Sequence, residues 1–184
     1  MNNVPAVFSS YEELNDDNQS KLLRYINENP GIRYRELLRL TCIANGVLAY
    51  HLAVLEKSHH IKVDRSKKNK ITRYYPIGIP AGESEILGYI RNNGVRQIIL
   101  FILEHDLCTF EEIVEHTKKA GSTICWYLKR LKDAGIISVH YGNGEYPRLY
   151  KLTNRDIVAD TIYKYKETIV DKVVNNYTEV VEEL

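Results

Sequence analysis

The sequence predicts a mainly helical α+β fold in which one small unit, three helices followed by a β-hairpin, is built twice. Apolar residues recur at helical spacing through most of the 184 residues, and short runs rich in β-branched and aromatic residues interrupt them. A shift of 76 residues superimposes the apolar pattern of the first half on that of the second, without a gap, for more than forty positions. Such a match indicates that the same buried faces are formed twice.

Equivalent residues in the two halves are expected to occupy the same core positions. Thr41, which follows the second helix of the first half, corresponds to Thr117. The apolar pairs are Leu22/Ile98, Leu23/Ile99, Ile26/Ile102, Leu37/Ile113, Leu48/Ile124, Leu52/Leu128, Leu55/Leu131 and Ile61/Ile137. Because each pair keeps its apolar character, the two units should pack in the same way.

The first unit combines three helical segments with two strand-like ones. In chain order these segments are Asn18–Asn29, Tyr34–Leu40, Gly46–Ser58, Ile61–Arg65 and Ile71–Tyr75. Pro30-Gly31 is a strong stop for the first helix, and a turn over residues 41–45 separates the second helix from the third. A polar, lysine-rich tip over residues 66–70 joins the two strands into a hairpin.

The second unit repeats this order. Its expected elements are helices at Gly94–Glu104, Thr109–Thr117 and Ser122–Ala134, and strands at Ile136–Tyr141 and Arg148–Leu152. Gly142-Asn143-Gly144 supplies turn residues for the hairpin tip. Two helices joined by a short turn, preceded by a helix and followed by a hairpin, form the order of a winged helix-turn-helix domain.

Five segments follow from this pattern. They are an N-terminal extension (1–16), a first winged-helix domain (17–77), a linker with a connecting helix over Glu83–Arg91 (78–93), a second winged-helix domain (94–153) and a C-terminal amphipathic helix (154–184). The last helix has an apolar stripe that includes Ile162, Tyr165, Ile169 and Val173. Two interpretations stay open: the stripe folds back on its own domain, or it is the seam of a homodimer.

The net charge of +1 hides an uneven distribution. Residues 17–77 carry 12 Lys or Arg against 5 Asp or Glu, a net +7. Residues 1–16 and 154–184 are each net −3, and residues 78–153 are neutral. A basic block of this size points to a polyanionic partner for the first unit, which we expect to supply most of the affinity.

Particular residues also resemble a known family. The stretches Leu48-Ala49-Tyr50-His51-Leu52, Leu55-Glu56-Lys57, Ile61-Lys62 and Arg73-Tyr74-Tyr75-Pro76 resemble archaeal ArsR-like winged helix-turn-helix transcriptional regulators. Residues 122–131 with Gly135-Ile136-Ile137 look like the same motif, so that the resemblance covers about residues 18–153. It implies a transcriptional repressor or activator, often dimeric. The family's metal-sensing cysteine pair is missing, which argues against metal sensing.

In this fold the third helix lies in the major groove, and the hairpin, or wing, reaches the backbone or the minor groove. The candidate DNA-binding residues of the first unit are Arg33, Arg35, Arg39, Asn45, Ala49, Tyr50, Lys57, Arg65, Lys67, Lys68, Lys70 and Arg73. Those of the second unit are Ser122, Trp126, Lys129, Arg130 and Arg148. The basic members suit phosphates. The small residues of the first recognition helix suit a close approach to thymine methyl groups. Tyr50 and Trp126 occupy equivalent positions in the two units. Each could stack on DNA or line an interface between domains or subunits.

Histidine and cysteine suggest no further chemistry. Cys42, Cys108 and Cys125 are widely spaced without a Cys-x-x-Cys pair, which favours a reducing compartment and disfavours a structural zinc site. We expect Cys125 to lean toward burial and His51 to pack or contact phosphate. The sequence shows neither a secretory signal nor an apolar run long enough to span a membrane, so a cytoplasmic location is expected.

The predicted function is a sequence-specific transcriptional regulator that binds double-stranded DNA as a homodimer. Neither a metal nor another cofactor is expected, and no particular small-molecule effector is predicted. An enzyme is disfavoured, because the sequence shows no phosphate-cradling glycine loop, no His-Glu-x-x-His motif and no evident nucleophile with its base. The alternative is a winged-helix module that binds protein in transcription or replication machinery, which the neutral second unit and the acidic tail favour.

Overall fold

The computed structural model describes residues 17–66, 71–141 and 147–166. The chain divides after Ile79 into two compact units, called here unit 1 and unit 2. Each is described by itself below.

Unit 1 is a three-helix cluster with a small antiparallel sheet. Its elements are α1 (Asp17–Glu28), β1 (Ile32–Arg33), α2 (Tyr34–Thr41), α3 (Asn45–Lys57), β2 (Ile61–Ser66) and β3 (Ile71–Pro76). The strand order is β1-β3-β2, and Tyr74 of β3 pairs with Ile32 on one side and Val63 on the other. Helices α2 and α3 meet at 118°, the angle expected of a helix-turn-helix pair.

The core of unit 1 is formed by the stripes that the apolar spacing predicts. Leu22 and Ile26 of α1, Leu37 of α2, and Leu48 and Leu55 of α3 are all completely buried. Helix α3 packs against α1 and β2 through this stripe. The expected three helices and hairpin are therefore confirmed, and the β2–β3 hairpin is the wing.

Unit 2 repeats the architecture and adds a helix at each end. Its elements are α4 (Ala81–Ile90), α5 (Asn93–His105), β4 (Cys108–Thr109), α6 (Phe110–Thr117), α7 (Gly121–Asp133), β5 (Ile137–Tyr141), β6 (Arg148–Leu152) and α8 (Arg155–Lys164). The strand order β4-β6-β5 matches that of unit 1. The predicted connecting helix is observed as α4, which packs against α5 and α8.

The repeat is preserved in backbone detail. Thr41 and Thr117 are both buried, and each hydroxyl donates to the carbonyl four residues earlier, at 2.7 and 2.8 Å. The next residues, Cys42 and Lys118, are both left-handed, with φ of 54° and 52°. A left-handed residue at this point ends the second helix and starts the tight turn to the third. The turn of the helix-turn-helix thus uses the same two features in both units.

The described part of the C-terminal helix folds back on its own unit. Val158 and Thr161 of α8 are buried, and α8 packs against α4. Ile162 is half-buried. Beyond the end of α8, the Tyr165 hydroxyl donates to Glu83 Oε2 at 3.3 Å. The other two residues of the predicted dimer stripe, Ile169 and Val173, lie outside the described residues.

Among the described residues, no single helix is long and apolar enough to cross a membrane. Helices α2 and α3 together have the length and apolar composition of a membrane span. They are, however, the bent helix-turn-helix of unit 1, and their leucines lie in its core.

Candidate nucleic-acid interface

Helix α3 presents a nearly apolar face to solvent. Leu48, His51, Leu52 and Leu55 are buried, and the remaining positions from Asn45 to Ala53 are exposed. Val47 is 42% exposed and Tyr50 65% exposed. The exposed residues are Asn45, Gly46, Val47, Ala49, Tyr50 and Ala53. The helix contains no Asp, Glu, Lys or Arg before Glu56, so charge reaches this face only from its surroundings.

Asn45 at the start of α3 is oriented by a neighbouring tyrosine. The Tyr34 hydroxyl lies 2.7 Å from Asn45 Oδ1 and 2.8 Å from its carbonyl oxygen. Tyr34 is the first residue of α2, so this contact joins the beginnings of the two helices. The amide that the sequence offered as a base-reading group is thus already engaged through its oxygen.

Exposed basic side chains come shortly before and after the exposed part of α3 in the sequence. Arg35 and Arg39 of α2 are exposed, as is Lys57 at the end of α3. Arg33 is half-buried, and its backbone N–H donates to Glu36 Oε2 at 3.0 Å, which caps the start of α2. Exposed arginines and lysines are the groups that neutralise DNA phosphates.

Arg65 ties the base of the wing to the end of α3. Its two terminal nitrogens each donate to a different carboxylate oxygen of Glu56, at 2.5 Å. These bonds hold the pKa of Glu56 below its usual range. The Arg65 side chain remains 61% exposed although it is paired with Glu56, so solvent still reaches it.

The structure corrects the assignment of Arg73 as a DNA contact. Its side chain is only 7% exposed, and Nη1 donates to the Gly31 carbonyl at 2.8 Å. Burial lowers the pKa of its guanidinium from the ordinary value. The residue pairs with Arg33 of β1 across the sheet, on the central strand rather than at an open edge. Arg73 therefore stabilises the sheet and is not available to phosphate.

Three of the predicted wing contacts, Lys67, Lys68 and Lys70, lie outside the described residues. The glycine-rich tip of the second wing, residues 142–144, does so too. For these positions the sequence expectation stays a prediction.

In unit 2 the third helix exposes larger and more polar groups. Ser122, Trp126 and Lys129 of α7 are exposed, as the helical pattern predicts. The Arg130 guanidinium lies 4.5 Å from the centre of the Trp126 ring and 5.5 Å from that of Tyr89. Arg130 is therefore half-buried between two aromatic rings, where it braces α7 against α4.

A shallow cationic groove of about 190 Å³ lies between α7 and the wing of unit 2. Lys129 and Lys132 line it from the helix, and Arg148 lines it from β6. Tyr141 and Tyr150 supply aromatic walls. Lys132 was not among the predicted site residues, because helical spacing alone does not show which side of α7 the wing covers.

The second helices of the two units carry opposite charges at equivalent positions. Arg35 and Arg39 of α2 correspond, at the shift of 76 residues, to Glu111 and Glu115 of α6. All four side chains are exposed. The same surface of the same fold is thus cationic in unit 1 and anionic in unit 2.

The histidine and cysteine expectations are partly corrected. His51 is buried and meets the Tyr50 ring edge-on at 5.2 Å, so packing accounts for it. Cys125, expected to lean toward burial, is exposed, whereas Cys108 is the buried thiol. Within the described ranges, no group of three His, Cys, Asp or Glu side chains is placed to hold a metal ion.

The geometry of each unit is that of a winged helix-turn-helix domain, and comparisons with known families agree. Residues 16–87 match a family described as an N-terminal HTH domain, and residues 93–139 match the bacterial regulatory protein arsR family. The chain thus contains two helix-turn-helix domains in tandem, and the resemblance to ArsR-like regulators is confirmed.

A similar protein is described as an uncharacterized HTH-type transcriptional regulator of Methanocaldococcus jannaschii. It is 29% identical over 124 residues, which cover 66% of this chain and 30% of that relative. This chain therefore matches less than a third of the relative's length. Among solved structures, the transcriptional regulator SlyA aligns over 70% of this chain and 80% of that one, at 22% identity and a TM-score of 0.34.

The exposure of the thiols predicts their reactivity. Cys42 and Cys125 are exposed, while Cys108 is 1% exposed and burial raises its pKa to about 11. Since the thiolate is the reactive form, Cys108 should resist a disulfide reagent at pH 8. We expect Ellman's reagent to titrate two thiols in the native chain and three in guanidinium. Cys108→Ser should leave the native count at two, and three fast native thiols would contradict the structure.

Proposed function

We propose that the chain is a transcriptional regulator that binds double-stranded DNA, with unit 1 as the main DNA-binding domain. The observation that supports this most directly is the exposed, uncharged face of α3 in a domain that also exposes Arg35, Arg39 and Lys57. A helix-turn-helix domain places this helix in the major groove and the preceding helix against the backbone. The proposal assigns no catalytic step to either unit.

The remaining candidates have different roles in this proposal. Lys57 and the wing lysines Lys67, Lys68 and Lys70 contact phosphates, while Arg65 contacts phosphate from its pair with Glu56. In unit 2, Lys129, Lys132 and Arg148 line a cationic groove that adds to affinity. The acidic face of α6 repels phosphate, so unit 2 does not approach DNA in the way unit 1 does.

Charge on α2 is expected to control affinity. For Arg35→Ala/Arg39→Ala, two phosphate contacts are lost, so the slope of log affinity against log salt should fall by about 2. The matched variant, Glu111→Ala/Glu115→Ala, changes the equivalent positions of unit 2. This variant should bind with the wild-type salt slope and with wild-type or slightly higher affinity. Fluorescence anisotropy with a labelled duplex measures both quantities.

If the arginine variant binds with wild-type affinity and slope, unit 1 does not contact DNA through α2, and the proposal is wrong in that respect. The alternative, a module that binds protein, is favoured by the anionic α6 surface. Loss of all DNA binding by the wild-type chain at low salt would favour that alternative.

We also propose that the protein forms a homodimer and that it acts in the cytoplasm. Regulators of this fold pair on two-fold operators, and the predicted stripe continues past α8 through Ile169 and Val173. Free thiols at all three cysteines fit a reducing compartment.

The dimer is tested by truncation after Lys166, which keeps α8 and its packing on α4. We expect the full chain to have twice the 21.4 kDa mass of one chain in light scattering. The truncated chain should have the mass of a monomer, since it lacks the second half of the stripe. A truncated chain that remains a dimer would show that the seam lies elsewhere.

A further inference from the structure

The exposed face of α3 is unusual for a surface that must meet a polar base edge. Its six exposed residues between Asn45 and Ala53 include one hydrogen-bonding side chain other than the tyrosine, and that is Asn45. In α7, the equivalent face offers Ser122, Cys125 and Lys129. The repeat therefore provides an internal contrast: the fold does not require an apolar third helix, and unit 1 has one nevertheless.

Asn45 is poorly placed to replace the missing polar contacts. An asparagine recognises adenine by donating through its amide nitrogen and accepting through its oxygen. That oxygen lies 2.7 Å from the Tyr34 hydroxyl. The contact turns the amide oxygen toward α2, whereas a two-bond contact with adenine needs this oxygen to point at the base edge.

One apolar group is available on the major-groove edge of DNA. Thymine carries a 5-methyl group there, and the other three bases offer only donors and acceptors. Gly46, Ala49 and Ala53 have little or no side chain, so the helix backbone can approach the base edges closely. Val47 and Tyr50 then provide the apolar area.

We propose that α3 recognises thymine 5-methyl groups, with Val47 and Tyr50 as the specificity-determining residues, and that the binding site for unit 1 is rich in A·T pairs. This proposal rests on the proposed function and deepens it. The ligand is DNA and not RNA, because uracil lacks the methyl group and the major groove of duplex RNA is too narrow for a helix.

Charge supports DNA over an apolar protein partner on this face. The exposed cations Arg35, Arg39 and Lys57 belong to the same domain, and residues 17–77 are net +7. A hydrophobic protein partner would have to desolvate or avoid these charges, whereas a phosphate backbone on each side of the groove pairs with them. An apolar helix face on a strongly cationic domain therefore suits a groove lined with methyl groups between two phosphate backbones.

The test uses the duplex that the full chain selects from a randomised pool. This duplex is synthesised in two forms, one with thymine and one with deoxyuridine at every thymine position. The two forms have the same phosphates and the same hydrogen-bonding groups, and differ only in the methyl groups. We expect the selected site to be A·T-rich. The deoxyuridine form should bind about tenfold more weakly, from roughly threefold to fourfold for each of two buried methyl groups.

Two matched variants locate the effect. Val47→Ser removes one of the two exposed apolar side chains from α3 and should lower the thymine-to-deoxyuridine affinity ratio from about tenfold to about threefold without changing the salt dependence. Ile77→Ser makes the same kind of change at another exposed apolar residue, one that lies after the wing, and should keep the wild-type ratio. Both sites are exposed, so both variants should fold.

The possible results distinguish a failure of methyl recognition from a failure of DNA binding. Equal binding of the two duplex forms by the wild-type chain would overturn methyl recognition while leaving DNA binding intact. A wild-type ratio that Val47→Ser does not reduce would overturn the assignment to α3. If the chain selects no duplex and binds none at low salt, the proposed function itself fails.

Discussion

Leu48 and Leu55 are completely buried between α1 and the first strand of the wing, and this contact determines the orientation of α3. A helix has one buried stripe and one opposite face, so fixing the leucines inward fixes Ala49, Tyr50 and Ala53 outward. Removing such a side chain costs about 2–5 kcal/mol, a large part of the stability of a domain this size. The exposed surface of α3 is therefore set by its core contact, and the same relation holds for Ile124 and Leu131 in α7.

Because the core is conserved between the two units, the surfaces are where they differ. Both units keep the buried threonine and the left-handed residue that build the turn. On α2 and α6, in contrast, arginine and glutamate occupy equivalent exposed positions. Exposed positions of this kind contribute little to folding, and their charge decides which partners approach. The two units thus have one fold and two electrostatic surfaces, which fits one main DNA-binding domain and one auxiliary domain.

The sequence predicted the repeat and its main elements because periodicity and helix stops are local signals. It missed β1 and β4, since a strand of two residues has no period to detect. That omission bears on the error at Arg73: in a hairpin alone β3 has an open edge, whereas β1 covers that edge and makes β3 the central strand. The Glu56–Arg65 pair and the position of Lys132 beside the second wing also escaped prediction. Each depends on how a helix and a hairpin lie against each other, which spacing along one element does not show.

The proposed function depends on phosphate contacts between unit 1 and duplex DNA. The most direct measurement is the affinity of the full chain for a random-sequence duplex, by fluorescence anisotropy, across several salt concentrations. We expect binding at low salt that weakens linearly on a log–log scale, with a slope of about −3 or steeper for contacts by Arg35, Arg39 and Lys57. Binding that does not depend on salt, or no binding at the lowest salt, would contradict the proposed function.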